Sequence, residues 1–156
     1  MTPCINLLKK ANVSFKVHEY QHDPSVDSYG LEAAEKLGVS AERVFKTLVV
    51  SLDGKELAVA LVPVAERLNL KRLAKASGAK KVEMANKAQV ERVTGYVLGG
   101  VSPLGQKKRL KTFIDQSAET VATMFVSAGR RGLEVELNPS DFKALTQGQW
   151  ASLVLV

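Results

Sequence analysis

The chain has 156 residues with 46% hydrophobic and 24% charged content, the size and balance of one ordinary folded domain and not of a disordered segment. A net charge of +6, from 22 basic against 16 acidic residues, favours a polyanionic partner, while 6% aromatic content argues against an extended base-stacking platform. Cys4 is the only cysteine, so no intrachain disulfide forms, and with His18 and His22 it is too sparse for a tetrahedral zinc site.

No run approaches the roughly 18 apolar residues of a membrane span, and the N-terminus lacks a signal-peptide core. A single domain over residues 1–156, cytoplasmic and without membrane contact, is expected.

Thr2-Pro3 reads as a helix cap followed by proline at the first helical position, with Ile5, Leu7 and Leu8 as an apolar face ending near Asn12. From Phe15 to Tyr20 the residues alternate as in a half-exposed strand, broken by His22-Asp23-Pro24-Ser25. Ser28 is the expected cap of a second helix through Leu37, stopped by Gly38, and Ser40 caps a turn leading into the next strand.

That strand, Val44-Phe45-Lys46-Thr47-Leu48-Val49-Val50, holds the residue that most needs explaining. An ammonium drawn into an apolar wall is disfavoured by desolvation and calls for an anionic partner, such as a phosphate or carboxylate. The alternative is an edge-strand lysine whose stem packs while its head reaches water. Asp53-Gly54 marks a hairpin, so Phe45 to Leu52 should pair antiparallel with Glu56 to Pro63.

A helix is expected from Asn69 to Ser77, closed by Gly78, with Leu70, Leu73 and Ala74 inward, and Asn86 with Gln89 makes a capping box for another that ends before Gly95. Strands should follow at Tyr96 to Leu98, Leu110 to Asp115, Thr120 to Ser127 and Leu133 to Leu137, then a helix starting at Asn138-Pro139 and a last strand, Trp150 to Val156. Without regular strand–helix–strand alternation the fold class is α+β: a small mixed or antiparallel β-barrel-like sheet, partly closed and flanked by helices.

Gly99-Gly100-Val101-Ser102-Pro103 offers backbone amides unshielded by side chains, suited to a polarised carbonyl or a phosphate oxygen, although a glycine pair at a turn is often structural. A second small-residue loop, Ser127 to Gly132, adds Arg130 and Arg131. Neither matches a P-loop or a dinucleotide fingerprint. No nucleophilic triad and no carboxylate pair can be assembled, so the inventory binds and polarises but supplies no strong nucleophile of its own. Basic clusters at Lys71, Arg72 and Lys75, at Lys80-Lys81, at Lys107 to Lys111 and at Arg130-Arg131 resemble a phosphate-backbone footprint, best fitted to structured RNA or its end.

Taken in order, Thr2-Pro3, His22-Asp23-Pro24, Val44 to Leu48, Lys80 to Ala85, Thr94-Gly95-Tyr96 with Gly99 to Arg109, and Ser127 to Gly132 resemble the YbaK family across nearly the whole chain. The resemblance implies a free-standing deacylase of Cys-tRNA(Pro), related to the editing domain of prolyl-tRNA synthetases, with a small mixed barrel and no metal or diffusible cofactor. It implies that the substrate cysteine thiol attacks its own ester carbonyl and leaves as a cyclic thiolactone.

By position it assigns Lys46, Gly99 and Tyr20 to catalysis, and Tyr29, Gly100, Val101, Ser102, Ser127, Arg130 and Glu134 to substrate binding. The implied partners are mischarged tRNA and a prolyl-tRNA synthetase, not DNA. Tyr29 stands where the family commonly has phenylalanine, Ala128 where glycine is usual, and Glu134 where shorter polar or acidic residues are familiar. These departures bear on pocket width and cysteine selectivity. Deacylation of another small amino acid such as alanine by a positioned water, and a non-catalytic tRNA-binding module, are the alternatives.

Overall fold

Thr2 opens the first helix, α1 (Pro3–Ala11), by accepting the Ile5 amide on its hydroxyl, and Asn12 closes it in the left-handed conformation. This computed structural model describes residues 1–26 and 29–155; the Ser28 cap and the Tyr29 side chain lie outside the described residues. Strand β1 (Phe15–Glu19) follows, then α2 (Tyr29–Leu37), stopped by Gly38 at φ +69°, and a 3-10 turn (Ala41–Arg43) capped by Ser40.

The β2 (Phe45–Leu52) and β3 (Glu56–Pro63) hairpin turns on a three-residue loop, Asp53 to Lys55, in which Asp53 and Gly54 both take positive φ and the Lys55 amide donates to the Leu52 carbonyl. Asp53 also ties in the chain beyond helix α3 (Leu70–Ser77), because its carboxylate accepts from the amides of Lys80 and Lys81. Next come β4 (Val82–Met84), α4 (Lys87–Thr94), β5 (Lys111–Asp115), β6 (Met124–Arg130), β7 (Leu133–Leu137), α5 (Pro139–Thr146) and β8 (Gln149–Ala151).

The strands form two sheets and no closed barrel among the described residues: three strands ordered β1-β7-β6, and five ordered β4-β2-β3-β5-β8. The larger sheet is mixed, since β5 runs parallel to both β3 and β8. A single bridge between Val44 and Phe125 joins the sheets where β2 begins. The main core, including Leu8 of α1, Phe45, Leu61, Ile114, Val126, Val135 and Phe142, lies between them. A second core packs Leu73 of α3 on Val50, Ala60, Val62 and Phe113, on the other face of the larger sheet.

Several expectations need correction. Tyr96 to Leu98 is a turn, since Tyr96 is buried with its hydroxyl donating to the Leu104 carbonyl at 2.6 Å, while Val97 is 71% exposed. The strand expected from Thr120 starts at Met124, because Asp115 caps a 3-10 turn over Gln116–Thr120. Leu70 is 38% exposed and does not face inward, the last strand is only three residues long, and β4 was not anticipated.

The connection from Gly95 to Leu110 is held from several sides. Lys107 and Lys108 amides donate to the Thr94 and Val93 carbonyls, and Gly105 runs so close to α1 that a Cβ there would lie 2.6 Å from the Pro3 carbonyl carbon. Tyr96→Phe leaves the buried Leu104 carbonyl without its donor and is expected to cost about 1 to 3 kcal/mol of unfolding free energy in urea titration. An unchanged unfolding midpoint would show that the loop holds without this bond.

Candidate active site

Where the two sheets meet at the start of β2, the structure leaves a cavity of about 270 Å³. Its walls come from distant parts of the chain: Lys46 and Thr47 from β2, Tyr20 just past β1, Leu98, Gly99 and Val101 from the long loop, Ser127 and Arg130 from β6, and Glu134 from β7. Of the residues assigned from sequence, Lys46, Gly99, Tyr20, Val101, Ser127, Arg130 and Glu134 therefore face one space.

Gly100 and Ser102 do not line it. Gly100 lies against the backbone of Arg130, where a Cβ would come within 2.7 Å of the Arg130 Cα, and its amide donates to the Val97 carbonyl at 2.9 Å. Ser102 is fully buried; its hydroxyl accepts from the Leu104 amide at 3.2 Å and its carbonyl from Gln106 Nε2 at 3.0 Å. Both brace the loop from behind. Tyr29 falls outside the described side chains.

The loop brings Leu98, Gly99 and Val101 to the cavity wall. Gly99 adopts φ +97°, a conformation that L side chains rarely take, and among the described residues its N–H finds no acceptor. On the opposite wall β6 carries a bulge between Ser127 and Arg130, opened by Gly129 at φ +115° against the Tyr96 ring. The Thr2 hydroxyl donates to the Ala128 carbonyl inside that bulge, so the α1 cap and the cavity wall share one residue.

Charge in the cavity is not self-neutralised. The Lys46 ammonium is pushed below its ordinary pKa, first by burial and then by the nearby Arg67, with Glu66 opposing. Glu134 is 7% exposed, and burial raises its carboxyl to about 8. Among the described residues no ion pair joins Lys46 to Glu134 or to any other carboxylate, and no hydrogen-bond partner reaches the Glu134 carboxyl. The Thr47 hydroxyl is likewise buried without a partner. The Tyr20 hydroxyl is raised by burial and by the charge of Glu134. A cation, an open amide and a neutral carboxyl thus point at whatever fills the space.

Neither histidine takes part. His18 Nε2 bonds Glu136 at 2.9 Å and its ring lies tilted against Phe125, while His22 Nδ1 bonds the buried Glu32 at 2.9 Å. Sequence reasoning missed Gly30 at the start of α2, which also lines the cavity: a Cβ there would meet Val64 Cγ1 at 2.2 Å. Its only sequence signal is a glycine inside a helical pattern, which marks close packing as readily as a break.

Fold and cavity together define an α+β pocket protein whose cavity gathers Tyr20, Lys46, Gly99 and Glu134, with neither histidine among its lining residues. The chain belongs to the aminoacyl-tRNA editing domain family, which matches residues 23–145. It is 40% identical over 153 residues to a protein of Enterococcus faecalis named "Putative Cys-tRNA(Pro)/Cys-tRNA(Cys) deacylase EbsC", covering 97% of this chain and 92% of that one. It is 33% identical over 109 residues to the proline–tRNA ligase of Pelotomaculum thermopropionicum, covering 69% of this chain and 19% of the ligase. A structure described as "Crystal structure of a putative trans-editing enzyme for prolyl tRNA synthetase" shares the fold at TM-score 0.87 and 24% identity, covering 99% and 96% of the two chains. No helix among the described residues is long and apolar enough to cross a membrane.

The Glu134 environment makes a pH prediction. The folded state holds a proton up to about 8 that the unfolded chain releases near its ordinary 4.5, so this group lowers stability as pH rises through that window. Glu134→Gln removes the dependence: its stability relative to the wild type should grow between pH 5 and pH 8, by up to about 1.4 kcal/mol per pH unit. Parallel urea-denaturation curves for the two proteins across that range would exclude a buried neutral carboxyl.

Proposed function

We propose that this protein is a trans-editing deacylase that removes cysteine mischarged on proline tRNA, the substrate supplying its own nucleophile. The observation that carries the reading is the cavity's composition: one unneutralised ammonium, one open amide, and hydroxyls with no histidine beside them. Such a site can hold and polarise an ester but is poorly equipped to attack one. The likeness to the Enterococcus faecalis protein and to proline–tRNA ligases supports the same substrate class.

In this mechanism the cysteine thiolate attacks its own carbonyl carbon, forming the S–C bond of a thiolactone. The C–O bond to the terminal ribose breaks, and the ribose oxygen leaves on the tRNA and takes up a proton. In this reading the Gly99 amide donates to the carbonyl oxygen as negative charge builds on it, and Lys46 holds the adjacent anionic end of the RNA, both residues lining the cavity. Glu134 stays largely protonated at neutral pH and so does not repel a forming thiolate. The ligases carry the matching segment inside a longer chain, which favours a prolyl-tRNA synthetase as the partner that supplies tRNA identity.

Purified protein incubated with Cys-tRNA(Pro) should release the amino acid, and S-methylation of the charged cysteine should abolish release. Cleavage of the S-methyl ester, or of an alanyl ester at equal rate, would point to water as the nucleophile and overturn the thiol mechanism. Lys46→Ala is expected to lose about 10- to 100-fold in kcat/KM with its unfolding transition retained. An inactive wild type beside an active control enzyme would defeat the deacylase reading.

A further inference from the structure

Away from the cavity, α3 and the edge strand β8 enclose a cleft of about 700 Å³ whose lining is basic. Lys71, Arg72 and Lys75 form one side, Gln149, Trp150 and Ser152 the other, and no acidic residue lines it. The Arg72 guanidinium donates to the Ser152 hydroxyl, which fixes it across the cleft floor. Lys71 and Lys75 are exposed, and among the described residues neither enters an ion pair. They stand one helical turn apart, about 6 Å along the axis, comparable with the spacing of successive phosphates on a nucleic-acid strand.

The register of the larger sheet connects this cleft to the cavity. Thr47, Leu61, Ile114 and Trp150 lie in one row across β2, β3, β5 and β8. Thr47 lines the cavity and Trp150 lines the cleft, three strand spacings or about 14 Å apart, and the residues between them, Leu61 and Ile114, are fully buried in the main core, so the row fixes the separation of the two sites through the sheet. Lys46 also shares the sheet face that α3 covers, because its cross-strand partner Val62 packs in the same core as Leu73. Arg67, exposed on the link between β3 and α3, is close enough to Lys46 to act on its charge. Cations thus run from the cavity, over Arg67, to the α3 face.

Building on the editing reading above, we infer that the α3–β8 cleft is a second RNA contact, holding backbone phosphates of the tRNA acceptor stem while the 3′-terminal ester occupies the cavity. A duplex end binds there through its phosphates, held by Lys71 and Lys75.

The test compares Lys71→Gln/Lys75→Gln with Lys9→Gln/Lys10→Gln, two doubles that lose the same net charge from different faces. Binding of an uncharged acceptor-stem minihelix should weaken about tenfold for the first double alone, with a log–log salt slope shallower by about 2. A short single-stranded 3′-terminal fragment should bind both doubles as it binds the wild type. Trp150 is the only tryptophan, so its acrylamide quenching reports on the cleft directly and should fall when the minihelix binds. Equal loss in both doubles, or quenching unchanged at saturation, would overturn the cleft and leave the editing reading standing. A wild type that binds neither minihelix nor tRNA would overturn both.

Discussion

The site depends on how closely two backbones approach each other. Gly100 rides directly on the Arg130 main chain, and any side chain there would put its Cβ 2.7 Å from the Arg130 Cα and force the loop and the β6 bulge apart. That contact puts the open Gly99 amide across from the bulge that carries Ser127 and Arg130. Gly105 against α1, and the Tyr96 hydroxyl on the Leu104 carbonyl, hold the other end of the same loop. Because a bare main chain cannot rearrange its side chains to compensate, the geometry is kept by packing from both sides and not by local propensity.

Around this frame the electrostatics follow from burial. The walls that exclude water are apolar residues of three separate clusters, and the same exclusion disfavours charge on Lys46 and on Glu134. Had the two groups been in contact they would have neutralised each other as an internal ion pair. Held apart, each keeps its demand for a partner, and a ligand with an anionic end and a polarisable carbonyl meets both. Exposed pairs such as Arg130 with Glu19 at 3.5 Å contribute little by comparison, since water and salt screen them.

The fold accommodates Ala128 and Glu134, two positions at which the sequence is expected to depart from the family pattern. Ala128 is fully buried within the β6 bulge, where the neighbouring Gly129 takes the left-handed φ and so frees this position from needing glycine. Glu134 reaches the cavity from a strand bonded on both sides, by β1 and β6, so its longer side chain extends into the space without moving the backbone. Of the two, Glu134 lines the cavity and bears on its width.

Helix caps, the Asp53-Gly54 hairpin and the interruption of a buried strand by Lys46 were legible in the chain alone, because each is set by residues within a few positions of one another. The turn at Tyr96 was misread as a strand because alternation along three residues cannot reveal that one ring is pinned by a carbonyl eight residues on. Tertiary structure alone decided that the strands divide into two sheets, that Gly100 and Ser102 stand behind the cavity wall while Gly99 opens onto it, and that Thr47 and Trp150 share a row across four strands. Sheet order and register are settled by which apolar faces bury against each other across the whole fold, and no local window of sequence contains that information.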